Sequence, residues 1–96
     1  MPTKPFKKEY TYKKHVPNRP GMYAFYDKNG QLLYVGHARR LRHRVQSYHQ
    51  KDDFRKHPTK RLLRPKIAKF KYIVMPKKKA QEKEKKLKKK ARYNVN

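Results

Sequence analysis

Asn29-Gly30, set between the strand-prone runs Met22–Tyr26 and Gln31–Val35, constrains the fold of this chain more than any other feature. Both residues tolerate positive φ, which a two-residue hairpin turn requires. With such a loop, Lys28 faces Gln31, Phe25 faces Tyr34 and Tyr23 faces Gly36. Side chains alternate along a strand, so Tyr23 and Tyr34 emerge on one face, with open space over Gly36 where a phosphate could approach. A three-residue loop would slip the register by one and separate the two tyrosines.

Downstream of the hairpin the apolar period changes. Ala38, Leu41, Val45 and Tyr48 share one face of a helix running from Ala38 to about Tyr48. Arg44 and Arg42 border that stripe, while Arg39, His43 and Gln46 point to solvent. A border arginine can lay its stem on the sheet and hold its guanidinium at the edge, which suits bidentate contact with phosphate. A merely solvated basic face is the plainer account, and it fits Arg39 and Arg40 better than Arg44. Asp52 or Asp53 and Pro58 are start signals for a second short helix holding Leu62 and Leu63. Lys69–Met75 reads as a third strand, and a lysine-rich helix follows Pro76 to about Ala91. The order β-β-α-α-β-α predicts an α/β fold, a small sheet covered by helices. Residues 1–19 read as a basic arm, in which Tyr10-Thr11-Tyr12 has strand propensity but no evident partner, and residues 20–96 as the domain.

Charge narrows the partner. Thirty Lys and Arg against six Asp and Glu give a net charge of +24, a field that favours polyanions, nucleic acid above all. No apolar run is long enough to span a membrane, and no amphipathic stretch has the bulky apolar face that lipid binding needs. A cytoplasmic protein with no membrane partner is expected. Without cysteine there is no disulfide framework and no thiolate zinc site. His37, His43 and His49 lie six residues apart, a rotation of about 240° that puts successive members on different helix faces. Of the histidines, His37 is the candidate, because it directly follows Tyr34-Val35-Gly36.

The acidic residues are few enough to weigh singly. On the last helix, Ala80, Leu87 and Ala91 define a narrow inward face, with Glu84 about 40° from its centre and Glu82 on the opposite side. An inward carboxylate needs a partner, since an unpaired buried charge is costly. A divalent cation would serve, as Mg²⁺ takes one or two carboxylates plus water and phosphate. So would a neighbouring lysine.

Gly21-Met22-Tyr23, then Tyr34-Val35-Gly36, then the arginine-rich segment from His37 to Tyr48 together resemble the GIY-YIG nuclease family. The resemblance runs continuously from Pro20 to Tyr48 and more weakly to Tyr93-Asn94. It implies a three-stranded antiparallel sheet flanked by helices and metal-dependent hydrolysis of DNA phosphodiester bonds; one metal and one set of residues would fit one strand at a time. Tyr23 would act as general base or hold the attacking water, with Tyr34 assisting. Arg44 would stabilise charge on the phosphate, and Glu84 would bind Mg²⁺ or Mn²⁺. Gly36, Arg40, Arg42 and Asn94 would contact or support the substrate. His37 stands where related nucleases often carry lysine. Counting back from Tyr93-Asn94 would select Glu82 as the metal ligand, whereas helix phase selects Glu84. A free tyrosine ionises near about pH 10, so Tyr23 needs cations nearby to act as a base. The substrate would be duplex or branched DNA, targeted by a partner protein or by dimerisation. A non-catalytic nucleic-acid-binding module on the same architecture is the alternative.

Overall fold

The structure, a computed structural model, describes residues 4–7, 10, 12–49 and 62–91. Strands β1 (Lys4–Pro5), β2 (Gly21–Tyr26), β3 (Leu32–Ala38) and β4 (Lys69–Val74) form one antiparallel sheet in the order β1-β4-β2-β3. Helices α1 (Tyr12–His15) and α2 (Leu41–Ser47) and a 3-10 turn at Arg64–Lys66 precede or interrupt these strands; α3 (Lys77–Lys88) follows them. The expected three-stranded sheet is thus four-stranded. The added strand is only two residues long and carries no alternation to read.

Alternation along the central strand builds two cores. Tyr23 and Phe25 join Phe70, Leu41, Val45 and Tyr48 on the α2 face. Met22 and Ala24 join Val35 and Ala80 on the α3 face. The inward stripe of α2 is as periodicity predicts, but its first member belongs elsewhere. Ala38 ends β3, and the helix begins at Leu41 after an extended Arg40. Leu62 and Leu63 are helical, as expected, and pass into the 3-10 segment; Asp52, Asp53 and Pro58 lie outside the described residues.

The hairpin reaches its predicted register by an unpredicted route. Asp27 N–H donates to the Gln31 carbonyl at 3.1 Å, so the loop holds three residues, with Gly30 at φ +83°. The Asp27 carboxylate accepts from the backbone N–H of Asn29 and of Gln31, each at 2.9 Å. Tyr26 consequently pairs with Leu32, one residue out of step with the Phe25–Tyr34 pair. Leu33 is left without a partner across the ladder: a β-bulge that restores the register before the tyrosines are reached. The bulge also lets consecutive residues Leu33 and Tyr34 pack on the same core.

The described part of residues 1–19 packs onto the fold. Tyr12 and Val16 are buried in the α2-side core. Phe6 stacks on His49 at 4.0 Å and meets the Phe25 ring edge-on at 5.3 Å. Tyr12 stacks with Phe70 at 5.7 Å, and its hydroxyl bonds His49 Nε2 at 2.6 Å. Tyr12 starts a helical turn, so the strand propensity of this run is overridden by burial.

Candidate active site

Three tyrosines meet on the α2 face. Tyr23 and Tyr34 share that face, as the register requires, with ring centroids 6.3 Å apart. Tyr48, at the end of α2, reaches across so that its hydroxyl lies 3.1 Å from that of Tyr23. Gly36 makes this possible: a Cβ there would stand 2.5 Å from the Tyr23 hydroxyl oxygen. The space over Gly36 is therefore filled by Tyr23 itself. Gly21 is required by the sheet, since a Cβ would fall 2.3 Å from the Ile73 carbonyl oxygen.

Burial is the main influence on Tyr23 and pushes its phenol well above the ordinary tyrosine value. Tyr34 adds to the rise. The Tyr48 hydrogen bond and the Arg44 charge act the other way, and Glu84 raises it slightly further. The downward influences do not win. Tyr23 is a neutral phenol at physiological pH, and so is Tyr48, which is raised by burial and then by Tyr23 and Tyr34.

On the other face of β3 lies the acidic residue. Glu84 is buried on α3, where Ala80 and Glu84 point inward as helix phase predicts, while Glu82 is exposed. His37 alternates to this face and its Nδ1 hydrogen-bonds Glu84 Oε2. Lys88 Nζ stands 3.7 Å from Glu84 Oε1, and Gln81 Nε2 lies 3.5 Å from His37 Nε2. Both partners weighed for this carboxylate thus remain in play, because a lysine does approach it.

His37 joins two recesses. One, of about 610 Å³, is lined by His37, Arg39, Arg40, His43, Arg44 and Lys77. The other, of about 430 Å³, includes His37, Glu84, Gln81 and Lys88. The Arg44 side chain is exposed and, among the described residues, no hydrogen bond or ion pair engages its guanidinium, which presents its fork to the groove. Arg39, expected to face solvent, lines the same groove. Arg42 does not. Its Nε–H donates to the Val16 carbonyl at 2.8 Å, which ties α2 to the segment after α1. Asn94 lies outside the described residues. His43 and Lys77 also line this groove and Tyr48 meets Tyr23, contacts that the reading of the sequence does not single out. Tyr48 had a readable signal, a hydroxyl placed at the inward end of an apolar stripe.

The donor set suits a hard cation. Among the described residues no three His, Cys, Asp or Glu side chains converge to hold a metal. One buried carboxylate facing a recess can still anchor an ion that keeps several waters, the habit of Mg²⁺, whereas a structural zinc needs four protein ligands.

Fold and site together define a small basic α/β domain organised around a tyrosine laid across a glycine in a hairpin. Residues 19–95 match the sequence model of the UvrC-like GIY-YIG domain, and the chain belongs to that family. It is 44% identical over 64 residues to UvrABC system protein C of Christiangramia forsetii, covering 65% of this chain and 10% of that protein. The corresponding protein of Caldicellulosiruptor saccharolyticus is 45% identical over 60 residues, 62% of this chain and 10% of its own length. The chain thus spans about a tenth of the relatives it matches. Its structure superposes on the N-terminal GIY-YIG endonuclease domain of UvrC from Thermotoga maritima, bound to magnesium as its catalytic divalent cation. The TM-score is 0.69 at 28% identity, over 91% of this chain and 99% of that one.

Proposed function

We propose that this chain is a metal-dependent endonuclease that hydrolyses DNA phosphodiester bonds, nicking one strand at a time. The observation that carries the reading is Glu84: an inward carboxylate on a lysine-rich helix, joined through His37 to the groove lined by Arg44. Membership in the UvrC-like GIY-YIG family, and the magnesium of the Thermotoga maritima domain, support the same reading.

Each residue then has a task its geometry allows. Arg44 offers two parallel N–H donors to a phosphate in the groove, with Arg39, Arg40 and Lys77 holding the flanking backbone. Tyr23, a neutral phenol hydrogen-bonded to Tyr48, would orient the attacking water. Glu84 would hold Mg²⁺, which when bound supplies Lewis-acid stabilisation of charge on the phosphate. DNA, duplex or branched, is the substrate, and targeting falls to a partner protein or a second copy.

The test is a plasmid-nicking assay with and without Mg²⁺. Nicked circles should accumulate before linear product, and only with metal. DNA binding without cleavage under either condition would establish the non-catalytic module instead.

A further inference from the structure

Resting on the metal-dependent reading above, we propose that His37 Nδ1 is a second protein ligand to the cation held at Glu84. This nitrogen shifts the site's preference from Mg²⁺ toward Mn²⁺.

Geometry comes first. His37 Nδ1 hydrogen-bonds Glu84 Oε2, so a ring nitrogen and a carboxylate oxygen stand side by side at the recess. The contact is held by rigid elements, a residue in β3 facing a buried residue in α3. When a metal enters, the Nδ1 proton leaves to solvent or the ring takes its other tautomer, and the hydrogen bond becomes a pair of coordinate bonds.

The outer side of the ring fits the same role. Metal-bound histidines usually donate the remaining ring N–H to an oxygen acceptor, which fixes the tautomer. The Gln81 side-chain amide stands 3.5 Å from His37 Nε2. A half-turn of that amide presents its carbonyl oxygen to an Nε2–H. Among the described residues no other side chain bonds Nε2.

Electrostatics supplies the need. Lys78, Lys85 and Lys88 border the Glu84 recess, and Lys88 lies 3.7 Å from one carboxylate oxygen. Glu82 also borders it, but the three ammonium groups outnumber the two carboxylates, so a dication there is weakly held. A neutral imidazole adds a ligand without adding positive charge. Imidazole favours later first-row metals over Mg²⁺, whose preferred donors are oxygens.

The experiment uses the full chain, with Mn²⁺ and Mg²⁺ as probes. Pulsed electron paramagnetic resonance of bound Mn²⁺ should show the ¹⁴N modulation of a directly coordinated imidazole, and His37→Gln should abolish it. By calorimetry, His37→Gln should weaken Mn²⁺ by about tenfold and Mg²⁺ by less than about twofold. Bound Mn²⁺ without nitrogen modulation in the unaltered chain overturns the proposal, whether or not the variant folds. Equal losses for the two cations also overturn it. If Mg²⁺ supports nicking while Mn²⁺ shows no nitrogen, this inference falls alone; if neither cation binds, the metal-dependent reading falls with it.

Discussion

Tyr23 lies across Gly36 so closely that a single methyl group on the glycine would reach its hydroxyl, at 2.5 Å. Gly36→Ala should therefore push the phenol off Tyr48. We expect destabilisation of about 1–3 kcal/mol from overpacking and loss of nicking. Gly30→Ala is the control. Gly30 has open space around it but a φ of +83°, so it should cost about 1 kcal/mol and leave nicking intact. Urea denaturation beside the nicking assay separates the two.

Tyr12 is tied to the body of the fold, which changes what truncation does. Tyr12→Ala removes a buried ring stacked on Phe70 and should cost about 3–5 kcal/mol. Tyr12→Phe loses only the bond to His49 and should cost about 1 kcal/mol. Equal small losses by chemical denaturation would mean that this segment hangs free.

Arg42 and Arg44 should fail in different ways. Arg44→Lys keeps the charge but loses the fork, so turnover should drop more than DNA affinity. Arg42→Ala should lower the unfolding midpoint, because it releases the Val16 carbonyl, and leave kcat in the folded fraction nearly unchanged. Equal kinetic losses in the two variants would restore Arg42 to the groove.

Glu84→Gln keeps size and helix propensity while removing the charge. Cleavage should collapse without loss of DNA affinity, since one fewer carboxylate cannot weaken polyanion binding in a chain of this charge. Glu82→Gln, at an exposed position, should nick at close to the unaltered rate. Nicking rates at saturating DNA, with affinity measured in calcium, distinguish these outcomes. An active Glu84→Gln chain would remove α3 from the metal site.

Alkaline pH should unfold the protein through its phenols. Burial raises Tyr12, Tyr23 and Tyr48 above the ordinary value. Below about pH 10 these residues are neutral in both folded and unfolded chains, so their contribution is full. Above it the unfolded chain releases protons that the folded chain keeps, and stability falls by about 1.4 kcal/mol per pH unit for each such residue. Tyr48→Phe should flatten the slope measured between about pH 10 and 11.5. An unchanged slope would show that Tyr48 ionises as readily in the fold as out of it.

What the sequence shows depends on how far each determinant lies from its effect. The pairing of Tyr23 with Gly36 is legible because strand alternation is local, although the loop has one residue more than Asn29-Gly30 suggests. Glu84 is legible because helix phase needs only Ala80 and its neighbours. Arg42 borders the apolar stripe as Arg44 does, and only the Val16 carbonyl, distant in sequence, separates their roles. The packing of Phe6 and Tyr12 is hidden for the same reason: their partners Phe25, His49 and Phe70 come from three later segments. His37 is readable as a candidate, but the carboxylate it meets is 47 residues away.

The bulge at Leu33 separates the hairpin tip from the tyrosines. Because the ladder is reset there, the stretch from Lys28 to Gly30 can be rebuilt or lengthened without displacing Tyr23 or Tyr34, provided Asp27 and Gln31 still close it. That makes the tip a natural insertion point for a fluorophore tag or a sequence-reading module. Such a graft would give a compact cleaving domain a new address while its chemistry stays in place.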